Sequence, residues 1–264
     1  MERSTPGLRD RRTGTTFLPN RERAWPAASR LAGKKGLVLG VAGAQGIAYR
    51  CAAALRGSGA ELAIAHTHGR PESSAGPFEE FADPIVMPCS PQAPGELEAV
   101  FAAIRRQWGR LDFALHAVAH APRDEERGRL IDSSAAGFAR AMDVSCHSFV
   151  RMAQLAEPLM SRGGTLLATT FYGAQREIEP YDVMEPVKAA LNAVVLALER
   201  ELGPQGIRVH ALSLGPVPTP GPSGMEHFDE LLAQAALLVP KHHLATIDDV
   251  GSVAAGLVGN WGRL

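Results

Sequence analysis

The chain has 264 residues and is almost neutral, with 27 lysine and arginine residues against 28 aspartate and glutamate residues. Hydrophobic residues make up 45% and charged residues 21%, which are ordinary values for a soluble globular protein. The longest apolar runs fall short of the roughly 18 residues that a membrane-spanning helix requires, and the net charge is too small to attract nucleic acid. Cys51, Cys89 and Cys146 lie far apart, so the sequence predicts neither a disulfide framework nor a zinc ribbon and favours a reducing cytoplasm.

The first 30 residues differ from the rest of the chain in composition. They contain seven arginines and three prolines without apolar periodicity, which predicts a disordered basic tail over residues 1–30. An organelle transit peptide is the alternative, but Glu2, Asp10 and Glu22 count against it. A single folded domain is then expected over residues 31–264.

From residue 31 onward, short apolar runs alternate with longer amphipathic segments. The apolar runs predict strands at residues 36–40, 61–65, 84–88, 111–117, 164–169 and 207–212. The amphipathic segments predict helices at 47–56, 96–107, 135–160 (as one helix or two) and 183–202. This alternation indicates an α/β fold with one doubly wound, Rossmann-type parallel sheet and helices on both faces.

A glycine-rich turn, Gly40-Val-Ala-Gly-Ala-Gln-Gly-Ile-Ala48, connects the first strand to the first helix. Glycine lets a backbone approach a pyrophosphate, and a helix beginning near Gly46 directs free N–H groups at an anion. The spacing is not GxGxxG, and a tight turn also needs glycine for purely structural reasons. The second strand is followed by His66 and His68 without a neighbouring carboxylate or thiolate, so no metal site is predicted there.

Tyr181 and Lys188 are seven residues apart, which places them on one face if the segment is helical. Pro186 fits a helix only near its start, so we expect Tyr181 just ahead of the regular helix. A cationic lysine beside a phenol favours hydrogen-bond donation to a developing oxyanion, and an ammonium group can also hold ribose hydroxyls. The alternative for these residues is a tyrosine packed at a domain edge and a solvated lysine.

These segments together resemble the NADH-dependent enoyl-acyl-carrier-protein reductases, which are divergent members of the short-chain dehydrogenase/reductase family. That family separates its tyrosine and lysine by six residues, as here. Further matching stretches are Lys34-Lys-Gly-Leu-Val-Leu-Gly40, Gly46-Ile-Ala-Tyr49, Gly59-Ala-Glu-Leu-Ala63, Leu111-Asp-Phe113, His116 to Pro122, Met142 to Phe149, Gly206 to Ala211 and Thr246 to Gly251. The likeness runs in order from Lys34 to Gly259.

The resemblance implies hydride transfer from NADH to the β-carbon of a 2,3-unsaturated thioester on acyl carrier protein, in fatty-acid biosynthesis. It implies a cytoplasmic homotetramer without a metal. Tyr181 would stabilise the enolate oxygen, Lys188 would hold the ribose, and Tyr172 is a further catalytic candidate. Ala121 would meet the acyl substrate, and residues 218–238 would close over it. The implied cofactor contacts are Gly40, Gly46, Ile47, Thr67, Ser90, Pro91, Val118, Lys188, Val217, Pro218, Thr219, Pro220 and Gly221.

The sequence departs from the family pattern at several positions. Ser90 replaces an aspartate near the adenine, Phe171 replaces a second tyrosine, and Glu185 replaces a glycine beside the cofactor pocket. The family's last strand is apparently missing before Leu264, and four prolines between residues 216 and 222 would stiffen the closing loop. Two alternatives therefore stay open: a reductase of another enone or carbonyl substrate, and a catalytically impaired homologue that binds nucleotide or a partner.

Overall fold

The protein is described here by a computed structural model that covers residues 8–9, 16–17, 31–67, 85–122, 129–171, 183–217, 232–233, 235–237, 239 and 244–259. Near the N-terminus, strands β1 (Leu8–Arg9) and β2 (Thr16–Phe17) pair antiparallel. The division into a tail over 1–30 and a domain over 31–264 stays a prediction.

Six strands form a parallel sheet that confirms the predicted doubly wound fold. They are β3 (Lys35–Val41), β4 (Glu61–His66), β5 (Ile85–Pro88), β6 (Phe113–His116), β7 (Gly164–Phe171) and β8 (Ile207–Leu214). Their order across the sheet is β5-β4-β3-β6-β7-β8, so the direction of winding reverses between β3 and β6. Such a reversal opens a crevice at the carboxyl ends of the strands, where ligands bind in folds of this kind.

Helices cover both faces of this sheet. They are α1 (Ile47–Gly57), α2 (Glu96–Trp108), α3 (Ala135–Met142), α4 (Ser148–Ala156), α5 (Met184–Leu202) and α6 (Ile247–Val258). Alternate strand residues point to opposite faces, so Leu37 packs with the core of α2, α4 and α5 while Val38 packs with the core of α1 and α6. Within the described ranges, none of the helices has the length and hydropathy needed to cross a bilayer.

Helix α6 was not among the predicted helices, although its start can be recognised in the sequence. Thr246 caps it, because its hydroxyl accepts from the Asp249 backbone N–H at 3.2 Å while the Asp249 carboxylate accepts from the Thr246 N–H at 2.8 Å. This reciprocal pair of hydrogen bonds is a capping box, which gives partners to backbone N–H groups that the start of a helix would otherwise leave unsatisfied.

The predicted helix over residues 135–160 is interrupted by a π turn. Asp143–His147 winds in π geometry between α3 and α4, and a 3₁₀ turn at Glu157–Leu159 ends the run. A π turn places an extra residue in the helix and often occurs at functional sites. The extra residue cannot be recognised from apolar spacing, which the prediction used.

Strands β3 and β6 approach each other closely at one glycine. Gly36 pairs in register with Phe113, and a Cβ built on Gly36 would lie 2.0 Å from the Phe113 ring. Only glycine at position 36 leaves room for the Phe113 ring, which is fully buried beneath β3. The central strand pair is therefore fixed by a ring-to-backbone contact.

Candidate active site

Most of the described candidate site residues lie at one edge of the sheet, because the carboxyl ends of parallel strands share an edge. Hydrogen bonds join the loops there: the Thr67 N–H donates to the Val41 carbonyl at 3.1 Å and the Cys89 N–H donates to the His66 carbonyl at 2.8 Å. Gly40 lies near the end of β3, and the candidates that follow strands at this edge are Thr67, Ser90, Pro91, Val118 and Val217. Thr67 is exposed, Pro91, Val118 and Val217 are buried, and Gly40 and Ser90 are half-buried.

The N-terminus of α1 lies in the middle of this edge and lacks a cap of its own. Gly46 is the N-cap residue and makes no side-chain cap bond, and the first turn from Ile47 contains no acidic residue. The space beside Gly43 is open, with nothing within 4 Å of a Cβ built there. Gly40 has φ +97°, and its Cβ would lie 2.3 Å from the Ala117 carbonyl oxygen, so glycine is required. The uncapped N–H groups fit an anion such as a pyrophosphate.

Lys188 is a buried cation near the same edge, on the α5 side. Its side chain is only 4% exposed, and Nζ donates to the Thr169 carbonyl at 2.9 Å. Burial lowers the pKa of Lys188 to about 8, so the ammonium form still prevails at pH 7. An ammonium group has three donors, and Thr169 is its one hydrogen-bond partner in the described part of the chain. The two remaining donors are suited to hydroxyl groups of a ligand, and the role of Lys188 in holding a ribose stays a prediction.

His116 forms a buried polar pair with Ser148 close to Lys188. The His116 ring is fully buried, its Nε2 lies 2.7 Å from the Ser148 hydroxyl, and that hydroxyl donates to the Val144 carbonyl at 2.6 Å. Burial, and then the Lys188 charge, lower the pKa of His116 to about 3, so this histidine is neutral. No role is predicted for His116 from the sequence, although a histidine in an otherwise apolar strand is a usable signal.

Ser145 in the π turn fixes the loop that follows β6. Its hydroxyl accepts from the His120 N–H at 2.9 Å and donates to the His120 carbonyl at 3.1 Å. The same loop holds Val118, which is 7% exposed, and Ala121, which is 1% exposed. The π turn therefore supports the loop that carries one cofactor candidate and the substrate candidate.

Thr170, near the end of β7, carries a buried hydroxyl that sequence reasoning missed. Its residue is 3% exposed, and its Oγ1 has no hydrogen-bond partner within the described residues. Strand alternation places Thr170 on the same sheet face as Leu166 and Ala168, which pack with α5. This is the face that also carries Lys188.

The turn after β5 is held by side chains from two helices. The Ser90 N–H donates to the Glu96 carboxylate at 2.7 Å, and Arg151 Nη1 donates to the Pro91 carbonyl at 2.6 Å. Arg151 also pairs with Glu98 at 3.0 Å. Glu96 was not among the candidates, because its contact with Ser90 depends on how the intervening chain turns.

Several candidates fall outside the described residues: Tyr172, Tyr181, Pro218, Thr219, Pro220 and Gly221. Helix α5 begins at Met184, so Pro186 lies in its first turn and Tyr181 precedes the regular helix, as predicted. Phe171 ends β7 and is half-buried, as is Glu185. In the part of the chain that the structure covers, His, Cys, Asp and Glu side chains form no group of three that could hold a metal ion.

A family model described as enoyl-(acyl carrier protein) reductase matches residues 40–264. The NADH-dependent enoyl-acyl-carrier-protein reductase 1 of Rhizobium meliloti is 36% identical over 235 residues, covering 89% of this chain and 86% of that protein. The Escherichia coli NADH enzyme is 36% identical over 232 residues, covering 86% and 87%. Among solved structures, the Anaplasma phagocytophilum reductase in complex with NAD gives a TM-score of 0.83 at 36% identity, covering 90% and 91%. The Aquifex aeolicus NADH reductase gives 0.82 at 33% identity, covering 89% and 93%.

Proposed function

Because the chain belongs to the enoyl-(acyl carrier protein) reductase family, we propose that it reduces the 2,3 double bond of an enoyl thioester carried by acyl carrier protein. NADH is the proposed hydride donor, and fatty-acid biosynthesis is the proposed setting. The observation that carries this proposal is the buried Lys188, which keeps two donors for a ligand at the carboxyl edge of the sheet. The uncapped start of α1 at the same edge supplies the matching anion site.

Different residues of this chain would hold the pyrophosphate, the ribose and the nicotinamide end of the dinucleotide. The pyrophosphate would fit against Gly40, Gly46 and Ile47, where no side chain caps the helix. Lys188 holds the ribose next to the nicotinamide through hydrogen bonds to its hydroxyls. Val118 and Val217, both buried at the edge, would form apolar walls. When bound, NADH supplies the hydride that reduces the β-carbon.

Tyr181 is the proposed hydrogen-bond donor to the thioester oxygen of the substrate. As negative charge gathers on the thioester oxygen, a phenol that donates a hydrogen bond to that oxygen stabilises the transition state more than the ground state. The Lys188 charge favours this donation because a nearby cation stabilises the phenolate that would form. Ala121 is the proposed substrate contact, Tyr172 the second phenol, and residues 218–238 the closing segment. The same proposal places the protein in the cytoplasm as a homotetramer.

The experiment mixes the purified protein with NADH and a crotonyl thioester of acyl carrier protein, and follows absorbance of the reduced nicotinamide. We expect oxidation of NADH only when the thioester is present. Tyr181→Phe should lower kcat by about 10²-fold or more with little change in NADH affinity, whereas the matched variant Tyr172→Phe should lose less. Lys188→Met should chiefly weaken NADH binding.

The proposal is refuted if the protein binds NADH tightly but shows no turnover that depends on the thioester. That outcome would favour a homologue without this activity or with another enone substrate. Equal loss in Tyr181→Phe and Tyr172→Phe would overturn the assignment of the phenols while leaving the activity itself in place. Light scattering of the purified protein tests the tetramer separately.

A further inference from the structure

The loop that follows β6, residues 117–122, is hydrogen-bonded to the rest of the described structure at two residues. At its start the Ala117 N–H donates to the Leu39 carbonyl at 2.9 Å. Further along, the N–H and the carbonyl of His120 both bond to the Ser145 hydroxyl, at 2.9 Å and 3.1 Å. One serine side chain therefore fixes the far part of this loop.

The two candidate residues of the loop lie beside different hydrogen-bonded residues. Val118, the cofactor candidate, is adjacent to Ala117, whereas Ala121, the substrate candidate, is adjacent to His120. Both candidate side chains also pack in the core, but hydrophobic contacts are non-directional and do not fix a backbone position. Loss of the Ser145 contact should therefore displace Ala121 more than Val118.

A hydroxyl group suits position 145 because it can accept and donate a hydrogen bond at the same time. Ser145 accepts from the His120 N–H and gives its single hydrogen to the His120 carbonyl. Ser145 is fully buried, whereas His120 is exposed. If the hydroxyl is removed, water can replace it at His120, so the expected result is a displaced loop in a folded protein.

The π turn that carries Ser145 also lies close to Lys188. The turn packs against α5, and Cys146, the residue after Ser145, is buried. Burial raises the pKa of the Cys146 thiol, and the nearby Lys188 charge opposes that rise. The turn therefore fixes the position of the loop relative to the helix that carries the proposed ribose-binding lysine.

We propose that Ser145 is a positioning residue for the acyl thioester, which acts by holding both backbone groups of His120 and thereby the part of the loop that includes Ala121. This inference rests on the proposed function, because it assumes that a thioester binds beside this loop. The part of the loop that includes Val118 is held independently through Ala117. Binding of NADH therefore depends less on Ser145 than reaction of the thioester does.

The test compares the unaltered full chain with Ser145→Ala and Ser145→Thr, using NADH and a crotonyl thioester of acyl carrier protein. We expect Ser145→Ala to lower kcat/KM for the thioester by about tenfold or more, because small displacements of substrate-positioning groups have large kinetic effects. The dissociation constant of NADH, measured by nicotinamide fluorescence, should change by about threefold or less. Ser145→Thr keeps the hydroxyl and should stay within about threefold of the unaltered protein in both measurements.

Thr246→Ala is the control for a general loss of stability. It removes the cap of α6, which packs in the core on the other face of the sheet, and the loss of such a cap costs about 1 kcal/mol. We expect a lower melting temperature but a kcat/KM for the thioester within about twofold of the unaltered protein. Hydrogen exchange of the backbone amides in residues 117–122 should become faster in Ser145→Ala and stay unchanged in Thr246→Ala.

Several outcomes would overturn the inference while leaving the proposed function in place. They are a loss of kcat/KM below about threefold in Ser145→Ala, an equal loss in Thr246→Ala, or a loss of NADH affinity as large as the loss of kcat/KM. A folded Ser145→Thr protein that performs no better than Ser145→Ala would also overturn it, because the hydroxyl would then not be the group that matters. Absence of thioester-dependent turnover in the unaltered protein would overturn both the inference and the proposed function.

Discussion

Burial of the Lys188 ammonium makes a specific prediction about stability as a function of pH. The pKa of this group falls from an ordinary 10.5 to about 8 in the folded protein, because the interior disfavours its charge. Between these two values the unfolded chain binds the proton more strongly than the folded chain, so the free energy of unfolding rises with pH. The full rise from this one group is about 3 kcal/mol, at about 1.4 kcal/mol for each pKa unit. Below pH 8 the lysine is charged in both states and the cost of its burial is complete.

Lys188→Met removes the charge while keeping a side chain of similar length. At pH 7 the variant avoids the burial cost but leaves the Thr169 carbonyl without its donor, so part of the gain is cancelled. The comparison between pH values removes that offset, because the lost hydrogen bond is common to all of them. We expect the stability of Lys188→Met relative to the unaltered protein to fall by about 3 kcal/mol between pH 7 and pH 10.5.

Urea unfolding of both proteins at half-unit pH steps measures this difference directly. Groups that do not interact with Lys188 contribute equally to both proteins and cancel in the subtraction; the Cys146 thiol, which interacts electrostatically with Lys188, does not cancel. A relative stability that stays constant across the range would refute the reasoning, since it would mean that Lys188 has an ordinary pKa and is not a buried cation. A change in the opposite direction would mean that the folded state stabilises the ammonium.

Four further variants test the geometry. Gly43→Ala should leave the free energy of unfolding within about 0.5 kcal/mol of the unaltered protein but weaken NADH binding. Gly36→Ala should lower the free energy of unfolding by about 1–3 kcal/mol or more, because its Cβ meets the Phe113 ring. Urea unfolding and a cofactor titration measure both effects, and a stability loss in Gly43→Ala would contradict the open space beside Gly43. Ser145→Ala should cost about 1–3 kcal/mol, since two loop hydrogen bonds are lost, and an unchanged melting curve would contradict those bonds. Thr170→Val should unfold no earlier than the unaltered protein, because it removes a buried hydroxyl that has no hydrogen-bond partner among the described residues and keeps the side-chain shape. Destabilisation beyond about 1 kcal/mol would mean that the hydroxyl is hydrogen-bonded.

The sheet could be predicted from the sequence because its strands are buried on both faces. The run Gly36-Leu-Val-Leu-Gly40 is apolar without alternation, and it forms the centre of β3. The start of α5 was likewise readable, because Pro186 restricts where a helix can begin. Helix α6 was not predicted, although Thr246 and Asp249 form a capping signal at its start.

Single residues with distinctive chemistry could be named as site candidates from the sequence, whereas contacts between distant residues could not. Lys188 became a candidate through its spacing to Tyr181 together with the family resemblance; it is buried near the carboxyl edge of the sheet, and its role stays a prediction. The contact of Ser148 with His116 joins residues 32 positions apart, and no local pattern encodes it. The contact of Glu96 with Ser90 spans only six residues, yet it depends on two turns, residues 90–93 and 93–96, and the second requires a positive φ at Gly95. Such pairings become visible only when the chain is folded.

The π turn at Asp143–His147 sets the angular phase of everything that follows it in the same helical run. Each residue of an α-helix advances the side-chain direction by about 100°, so removing one residue from this turn would rotate Ser148 and Phe149 by that amount about the axis. Ser148 would then leave His116, and the Phe149 ring would leave its edge-on packing against the imidazole, 5.5 Å between centroids. Surface loops tolerate the deletion of a single residue. Here the same deletion would break the contact between His116 and Ser148 in the buried polar cluster beside Lys188.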